Sequence, residues 1–273
     1  MDARLPPFVM MGAQAAAQEV PLYLFMNAEA EAVVTAMAMQ PNNARKLLID
    51  TFVGALKAAG VWSKIDAMWV LAAHDEQAAR LNWKSPGTFT LTRVNGPTFM
   101  TDRGFAGDGS TSYLDTGWDA SNDGVQLTQN DAHISSYQRN SSGNTFAAFV
   151  QQTNGSRLGV MNRATANQDK VNVNSTTAIP SSSTVGSHPQ HMLGRRNDGT
   201  NASAVRDGVS MGAPEAATSS SPLSTDLSFG KAGTLYMSSQ MAGGSVGAYL
   251  DDTEALAFYN AWRDYMVAVG ADT

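Results

Sequence analysis

Two histidine motifs are the first places in this sequence where metal or nucleophile chemistry could arise. His188 and His191 are separated by two residues. Because no nearby Cys, Asp or Glu completes the three or four ligands that zinc needs, we interpret them as loop histidines. His74 precedes Asp75 and Glu76, which sets an imidazole beside two carboxylates that could polarise a nucleophile. Adjacent strand residues point to opposite faces, and no Gly-x-Ser-x-Gly elbow supplies a serine. A structural or capping role is therefore the favoured interpretation of this motif.

The carboxylates come next, because glycoside hydrolysis needs two of them facing one another across a groove. The pattern Glu-x-Asp-x-x-Glu, which delivers such a pair in sandwich glucanases, is absent. The glutamates fall on predicted arms, helices and turns: Glu19, Glu29, Glu31, Glu76, Glu215 and Glu254. The sequence therefore predicts a protein that is not an enzyme and has no catalytic residue. A glycan-cleaving enzyme remains the alternative.

Sugar binding is a further chemistry that the residue types allow. Lectin sites combine an aromatic platform with Asp, Asn and backbone donors on loops. The nearest such group in this chain is Trp118, Asp119, Asn122, Asp123 and Tyr137, and we predict it as the carbohydrate-binding site. The alternative is that Trp118 is a core residue and the others are ordinary turn residues.

Metal and phosphate sites are not indicated elsewhere. Asp102, Asp108 and Asp115 could be calcium ligands, but a role in forming turns is the favoured interpretation. The glycines between positions 104 and 109 do not form a phosphate loop, because no helix is predicted to begin after them. We predict neither a metal nor a cofactor.

Composition restricts the partners. The 273 residues carry a net charge of −6, with 15% charged residues and no cysteine. Without clustered Lys and Arg there is no electrostatic reason to bind nucleic acid or an anionic membrane, and no disulfide can form. The apolar run near residue 20 is far shorter than the ~20 residues that span a bilayer, and the first residues lack a secretory pattern. We expect no membrane insertion and no export signal of the chain's own.

Most of the chain is predicted to form short strands. The stretch from Phe105 to Trp118 indicates a tight turn on Gly107-Asp108-Gly109 that leads into a strand. The apolar segment from Ile65 to Ala73 favours a buried strand, with helix as the competitor. Asp207-Gly208 predicts a hairpin. Further strand candidates, bounded by Asn, Gly or Ser at the spacing of a sandwich or barrel, lie at residues 89–94, 98–101, 132–138, 145–151, 157–162, 170–174, 191–195, 202–206, 227–230, 235–237 and 245–250.

Three helices are predicted around these strands. One covers residues 27–39, the second begins near Pro41 and ends at Gly60, and the third closes the chain. In the third, Asp251 and Glu254 match a capping box. Its predicted buried face contains Leu256, Tyr259, Trp262, Met266 and Val269. Residues 1 to about 26 fit an extended or partly helical arm.

Four segments carry a family resemblance. Residues 61–83, the run Phe105-Ala-Gly-Asp-Gly-Ser-Thr-Ser-Tyr-Leu-Asp-Thr-Gly117, the hairpin of residues 204–212 and the closing residues 257–266 resemble segments of tailed-bacteriophage virion proteins. The final third is similar to the laminin-G and concanavalin A-like lectin sandwich, in which the hairpin and a short terminal helix recur. The resemblance implies a fibre, spike, tail-tip or decoration protein that binds host glycans.

Together these observations predict a mainly β protein: a concanavalin A-like antiparallel sandwich (jelly roll) with an N-terminal arm and helices and a C-terminal helix. We expect residues 1–64 to form the attachment region, contacting other virion proteins, and residues 65–273 to form the sandwich. The expected protein is a homo-oligomer displayed on the virion surface, assembled in the bacterial cytoplasm and later extracellular, with host-surface polysaccharide as its ligand. A ligand-free capsid decoration or cement protein is a further alternative.

Overall fold

The computed structural model describes residues 22–140, 149–153, 155–165, 168–180 and 186–273. Most of the predicted arm and the first half of the strand predicted at residues 145–151 lie outside these ranges. The helices are α1 (Ala28–Thr35), α2 (Asn43–Ala58), α3 (Glu76–Ala79) and α4 (Asp252–Ala268).

The strands form two large antiparallel sheets and one small hairpin. The nine-stranded sheet contains β1 (Ile65–Val70), β3 (Thr98–Met100), β4 (Gly104–Ala106), β6 (Ala132–Gln138), β10 (Gln190–Arg196), β11 (Asn201–Arg206), β12 (Val209–Ser210), β13 (Glu215–Ala216) and β17 (Gln240–Gly247). The six-stranded sheet has the order β2 (Thr92–Val94), β5 (Tyr113–Asp115), β14 (Ser228–Phe229), β7 (Phe149–Thr153), β8 (Ser156–Thr165) and β9 (Gln168–Ser175). The hairpin pairs β15 (Lys231–Ala232) with β16 (Leu235–Tyr236).

The predicted antiparallel β-sandwich is confirmed. Trp69 of β1 packs edge-on against Phe149 and Phe229 of the opposite sheet, each with ring centroids 5.9 Å away, and those two rings stack at 4.0 Å. The apolar segment that begins at Ile65 is therefore a strand, as predicted, and its only partly exposed residue is Asp66. Its buried position between two layers explains why it carries large apolar residues on both faces.

Helices α2 and α4 form a third layer on the other face of the nine-stranded sheet. Phe52 of α2 packs against Trp262 of α4 at 5.3 Å and against Trp83 at 5.7 Å, while Tyr265 lies 5.6 Å from Phe52. These residues belong to the same continuous hydrophobic core as the sandwich. The boundary predicted between residues 64 and 65 coincides with the start of β1, but residues 28–64 share one core with the strands.

Two adjacent glycines of β17 allow both layers to approach the central sheet closely. A Cβ on Gly243 would lie 2.5 Å from the ring of Trp262 in the helical layer. A Cβ on Gly244 would lie 2.8 Å from the ring of Phe229 in the sandwich. Since successive residues of a strand face opposite sides, one glycine leaves room for a ring on each face of the sheet.

The helix predictions hold with one correction. The side chain of Asn42 caps α2 at the backbone N–H of Arg45, and the capping box of Asp251 and Glu254 is present on α4. The buried face of α4 is rotated from the predicted one: Trp262 and Met266 are buried as expected, but Leu256 is 45% exposed, and Ala255, Phe258, Ala261 and Tyr265 complete the buried set. The helix packs over a wide sheet with aromatic side chains, which widens its contact face beyond the i, i+4 stripe.

Two turns connect strands in different ways. Asn95-Gly96-Pro97 carries the chain from one sheet to the other, because β2 before it pairs with β5 and β3 after it pairs with β4. The Asp207-Gly208 hairpin between β11 and β12 is confirmed, with φ values of 49° and 76° at the two residues. Both positive φ values are those of a type I′ turn. Within the described part of the chain, no helix combines the length and the apolar character needed to cross a bilayer.

Candidate functional site

One turn carries the chain from the nine-stranded sheet to the six-stranded sheet and positions the first side chains of a surface groove. The Oδ1 atom of Asp108 accepts hydrogen bonds from the backbone N–H groups of Ser110, Thr111 and Ser112, at 2.9, 2.8 and 2.9 Å. These bonds hold the pKa of the Asp108 carboxyl far below its ordinary value. Its role is that of a turn former, as favoured by the sequence, and it fixes the start of β5 at Tyr113.

The period of two on β5 then separates core from surface. Leu114 is buried in the core, whereas its neighbours Tyr113 and Asp115 are half-buried on the opposite face of the sheet. Asp115 pairs with Ser228 of β14, which in turn pairs with Val150 of β7. These three residues lie in one line across the strands, so their side chains share that outer face.

The hairpin of β15 and β16 forms a wall of the groove. Gly230, with φ 84°, turns the chain out of β14 into this hairpin. The Nζ atom of Lys231 lies 4.2 Å from the ring centroid of Tyr113, and the ring of Tyr236 lies 6.2 Å from it. The Tyr113 ring is therefore held in place by a cation–π contact and an aromatic neighbour.

The groove enclosed by these elements has a volume of about 310 Å³. Its lining is mixed, with an aromatic ring, two carboxylates, an amide, an ammonium group and small side chains: Tyr113, Asp115, Val150, Gln152, Thr225, Asp226, Ser228, Lys231, Ala232 and Gly233. The volume lies at the lower end of the ~300–1,000 Å³ typical of ligand sites.

The groove is acidic around Asp226. Leu227 is fixed next to β5, because its N–H bonds to the carbonyl of Trp118 at 2.9 Å and its own carbonyl accepts the Thr116 hydroxyl at 2.7 Å. Partial burial raises the pKa of Asp226, and the nearby carboxylates of Asp115, Asp119 and Asp123 raise it further. A carboxyl whose pKa is raised keeps its proton to a higher pH, so it can donate a hydrogen bond as well as accept one.

The structure separates the five residues of the predicted sugar site. Trp118 is fully buried, as the alternative interpretation held, and no face of its ring is available for stacking. Tyr137 is 1% exposed on β6, where its ring stacks on Trp262 of α4 and its hydroxyl donates to Asp272. Neither ring can serve as the surface platform, since each contributes to a core layer.

The remaining three predicted residues form a loop at the edge of the groove. The Asp119 carboxylate accepts the backbone N–H of Asn122 at 2.7 Å and its side-chain amide at 2.8 Å, and the Asp123 carboxylate accepts the N–H of Asp119 at 2.8 Å. Asp119 and Asp123 lie close enough to Asp226 to raise its pKa. The predicted acidic loop is thus a neighbour of the groove, whose aromatic residue is Tyr113 rather than Trp118.

The other candidates have structural partners. Asp75 is the N-cap of α3 and pairs with the His74 ring at 2.9 Å, in a bend rather than a strand, which confirms the capping role. His191 is buried beneath α4, and Asp102 pairs with Arg45 at 2.6 Å. No group of three or more His, Cys, Asp or Glu side chains that could hold a metal occurs among the described residues.

A second groove of about 420 Å³ lies at the start of α2. Its charged side chains are already engaged. Arg45 bonds to Asp102 at 2.6 Å and to the Tyr265 hydroxyl at 3.2 Å, and the His74 ring bonds to the carbonyl of Met39 at 2.8 Å. It also contains no exposed aromatic ring, so the groove on the six-stranded sheet is the better candidate.

Sequence reasoning missed Tyr113, Asp226 and Lys231 as site residues. The only signal was the alternation around Leu114, which predicts that Tyr113 and Asp115 share a face. Asp226 and Lys231 are more than a hundred residues away in sequence, and only the pairing of β14 with β5 brings them together.

No family model matches the sequence, and no curated protein matches it. Among solved structures, this chain is similar to Trypanosoma rangeli sialidase in complex with 2,3-difluoro-KDN, with a TM-score of 0.53, 10% identity and coverage of 81% of this chain and 40% of the sialidase. The same sialidase in complex with sialic acid gives a TM-score of 0.52, 10% identity and coverage of 82% and 40%. Domain 4 of an extracellular arabinanase from Geobacillus stearothermophilus, in complex with arabinotriose, gives 0.47, 10% identity and coverage of 71% and 98%.

The two sialidase matches show the fold alone, and the chain spans 40% of the sialidase chains that it matches. They nevertheless correct one prediction. The chain was predicted not to be an enzyme, because its sequence lacks the Glu-x-Asp-x-x-Glu pattern, yet its fold matches 40% of the chain of a sialidase, which is a glycosidase. The prediction of a non-enzyme is therefore wrong, because this fold does not exclude glycosidase activity.

Proposed function

We propose that this protein binds glycans and that the groove on the six-stranded sheet is the binding site. The observation that carries the proposal is the grouping of the half-exposed Tyr113 ring with the carboxylates of Asp115 and Asp226 and the amide of Gln152 on one open sheet face. A tyrosine ring offers an apolar surface to the CH face of a sugar, and carboxylates and amides pair with its hydroxyls. The likeness to a sialidase fold supports glycan chemistry as a class, but it identifies no particular sugar and no reaction.

The test is a glycan array followed by calorimetry with the bound oligosaccharide. Tyr113→Ala should weaken binding at least tenfold, because stacking on an aromatic ring supplies much of the contact in such sites. Tyr249→Ala is the matched control: this tyrosine is also half-exposed and has a cation, Arg195, 5.4 Å from its ring, but it lies outside the groove. Unchanged binding by Tyr113→Ala, with the control equally unchanged, would reject the groove as the site.

Glycan cleavage is a second candidate, and one observation favours it. Two carboxylates, Asp115 and Asp226, line the same groove, and the pKa of Asp226 is raised as expected of a general acid. Asp226 would protonate the leaving oxygen while Asp115 acts as base or nucleophile. Incubation with the bound oligosaccharide should then release new reducing ends, and Asp115→Asn and Asp226→Asn should each abolish release. A bound glycan that stays intact would exclude this candidate and leave binding in place.

We also propose that the protein is displayed on a phage-type virion as a homo-oligomer, attached to other virion proteins through residues 1–64. The support is the sequence resemblance of residues 61–83, 105–117, 204–212 and 257–266 to tailed-phage virion proteins. The ligand would then be a host-surface polysaccharide, met after release from the bacterial cytoplasm. Antibodies against the sandwich should label purified particles, and particles that contain none of this chain would overturn the proposal.

A further inference from the structure

We propose that the groove selects uncharged glycans and rejects anionic ones, with Asp226 and Asp115 as the specificity-determining residues. This inference rests on the proposed glycan binding and adds the class of sugar. The sign of the charge on the groove decides this class of sugar, and neither the volume nor the aromatic ring determines that sign.

Carboxylates outnumber ammonium groups in the lining of the groove, where Asp115 and Asp226 lie with Lys231. Two further carboxylates, on Asp119 and Asp123, lie close enough to act on Asp226 together with Asp115. Asp226 is exposed, so its carboxylate faces an incoming ligand. A sugar carboxylate or sulfate entering here would add another like charge to this group.

One cation, the Lys231 ammonium, lines the groove beside these carboxylates. The Lys231 ammonium lies over the Tyr113 ring at 4.2 Å, and the Nε atom of Arg157 donates to the Oε1 atom of Gln152 at 2.9 Å. In the part of the chain that the structure describes, neither Asp115 nor Asp226 takes part in an ion pair. Among the described residues that line the groove there is no arginine, although a bidentate arginine is the usual partner of a bound carboxylate.

This assignment differs from what the fold likeness alone would suggest. One similar structure is a sialidase in complex with sialic acid, which carries a carboxylate. At 10% identity the groove residues of this chain are not inherited with the fold. The charges of this chain therefore decide its ligand class, and they oppose sialic acid.

The experiment compares matched probes that differ by one charge, such as 3′-sialyllactose and its neutral carboxylate methyl ester, on an array that also holds neutral, sulfated and uronate-bearing glycans. For each neutral glycan that binds, the anionic counterpart should bind at least tenfold more weakly at low salt. The gap should narrow at high salt, because screening weakens repulsion between exposed charges.

Two variants identify the residue responsible. Asp226→Asn should raise the ratio of the affinity for the anionic probe to the affinity for the neutral probe at least threefold. The side chain is exposed, so this substitution should leave the fold intact. Asp264→Asn is the matched control, since it removes one negative charge from an exposed position on α4 and should change neither affinity.

The outcomes separate this inference from the function on which it rests. Equal or tighter binding of the anionic probes, with neutral probes also bound, overturns the selectivity and leaves glycan binding intact. Selectivity that persists unchanged in Asp226→Asn and Asp115→Asn overturns the assignment of these residues. An array with no bound glycan of either class rejects the proposed function itself.

Discussion

The two sheets of this protein use the same strand geometry but differ in what covers their outer faces. The nine-stranded sheet lies between the helical layer and the second sheet, and every residue of β6, β10 and β17 is buried. The six-stranded sheet has the sandwich core on one face only, and its other face is open at Tyr113 and Asp115. The covered face contributes to stability, whereas the open face is accessible to a ligand.

Polar residues show the same difference. Within the nine-stranded sheet, His133 makes a closed network: its Nδ1 atom donates to the carbonyl of Ala248 at 2.5 Å, and its Nε2 atom accepts from the hydroxyl of Ser245, which also bonds to Ser135 at 2.8 Å. A carbonyl can only accept, so Nδ1 carries a proton, and the ring is neutral near pH 7 because burial lowers the pKa of His133 to about 4. On the open sheet, Asp226 has no such enclosure. A buried polar group must form its hydrogen bonds within the protein, whereas an exposed one can form them with water or with a ligand.

The largest expected effect tests the covered face. Trp262→Ala removes a fully buried indole that packs on Phe52, Phe258 and Tyr137, and it should lower the free energy of unfolding by about 3–5 kcal/mol. Urea denaturation measures this. Leu256→Ala on the same helix is the control, because a side chain that is 45% exposed should cost much less. Similar losses for both variants would mean that α4 does not pack as described.

The second prediction concerns pH and again separates the two faces. Burial lowers the pKa of His133 to about 4 and that of His191 to about 3, both below the ordinary 6.5. A histidine with a lowered folded pKa contributes stability above pH 6.5 that is lost as the pH falls, because the unfolded chain binds the proton first. His133 alone should cost about 2 kcal/mol between pH 7 and pH 5.

The measurement is the urea midpoint over that range, in the wild type and in His133→Gln, whose slope should be smaller. Asp226 changes in the opposite direction, because its raised pKa means that protonation relieves repulsion in the groove. A midpoint that rises on acidification would show that the groove carboxylates dominate over the buried histidines.

The third prediction concerns the N-terminal cap of α4 in the helical layer. Asp251→Ala removes the N-cap of α4, whose side chain accepts the backbone N–H of Glu254 at 2.8 Å, and it should cost about 1 kcal/mol. Asp251→Asn, which keeps a capping oxygen, should recover most of this loss. Thermal denaturation of the two variants compares them directly, and equal midpoints would contradict a capping role.

The smallest expected effect on stability is at the open face. Tyr113→Ala removes a half-buried ring that contacts Lys231 and Tyr236, and it should change the free energy of unfolding by less than about 1 kcal/mol, as surface substitutions do. The same variant is expected to lose glycan affinity at least tenfold. A loss of stability comparable with that of Trp262→Ala would make Tyr113 a core residue and remove the distinction between the sheets.

Sequence patterns anticipated the local elements well. The capping box at Asp251, the Asp207-Gly208 hairpin, the glycine stop after α2 and the buried strand from Ile65 were all predicted, because each depends on residues within a few positions of one another. The acidic loop of Asp119 and Asp123 was recognised as a candidate for the same reason.

The sequence could not tell which aromatic residue faces water. Trp118 and Tyr113 both lie among Ser, Thr and Asp in the same short stretch, yet one is fully buried and the other is half-exposed. Tyr137 is hidden by α4, whose sequence is more than a hundred residues away. Exposure is a property of the layers that surround a strand, and the residues of the strand itself do not encode those layers.

Amino-acid order alone therefore determined the strands, the caps, the turns and the antiparallel sandwich, since backbone preference and hydrophobic period act over short distances. Only the tertiary structure decided that Asp115, Asp226 and Lys231 meet around Tyr113, because strand pairing across more than a hundred residues brings them together. It also decided which sheet lies under the helices, because Trp262 approaches Gly243 closely only once β17 has paired with the distant strands β1 and β6.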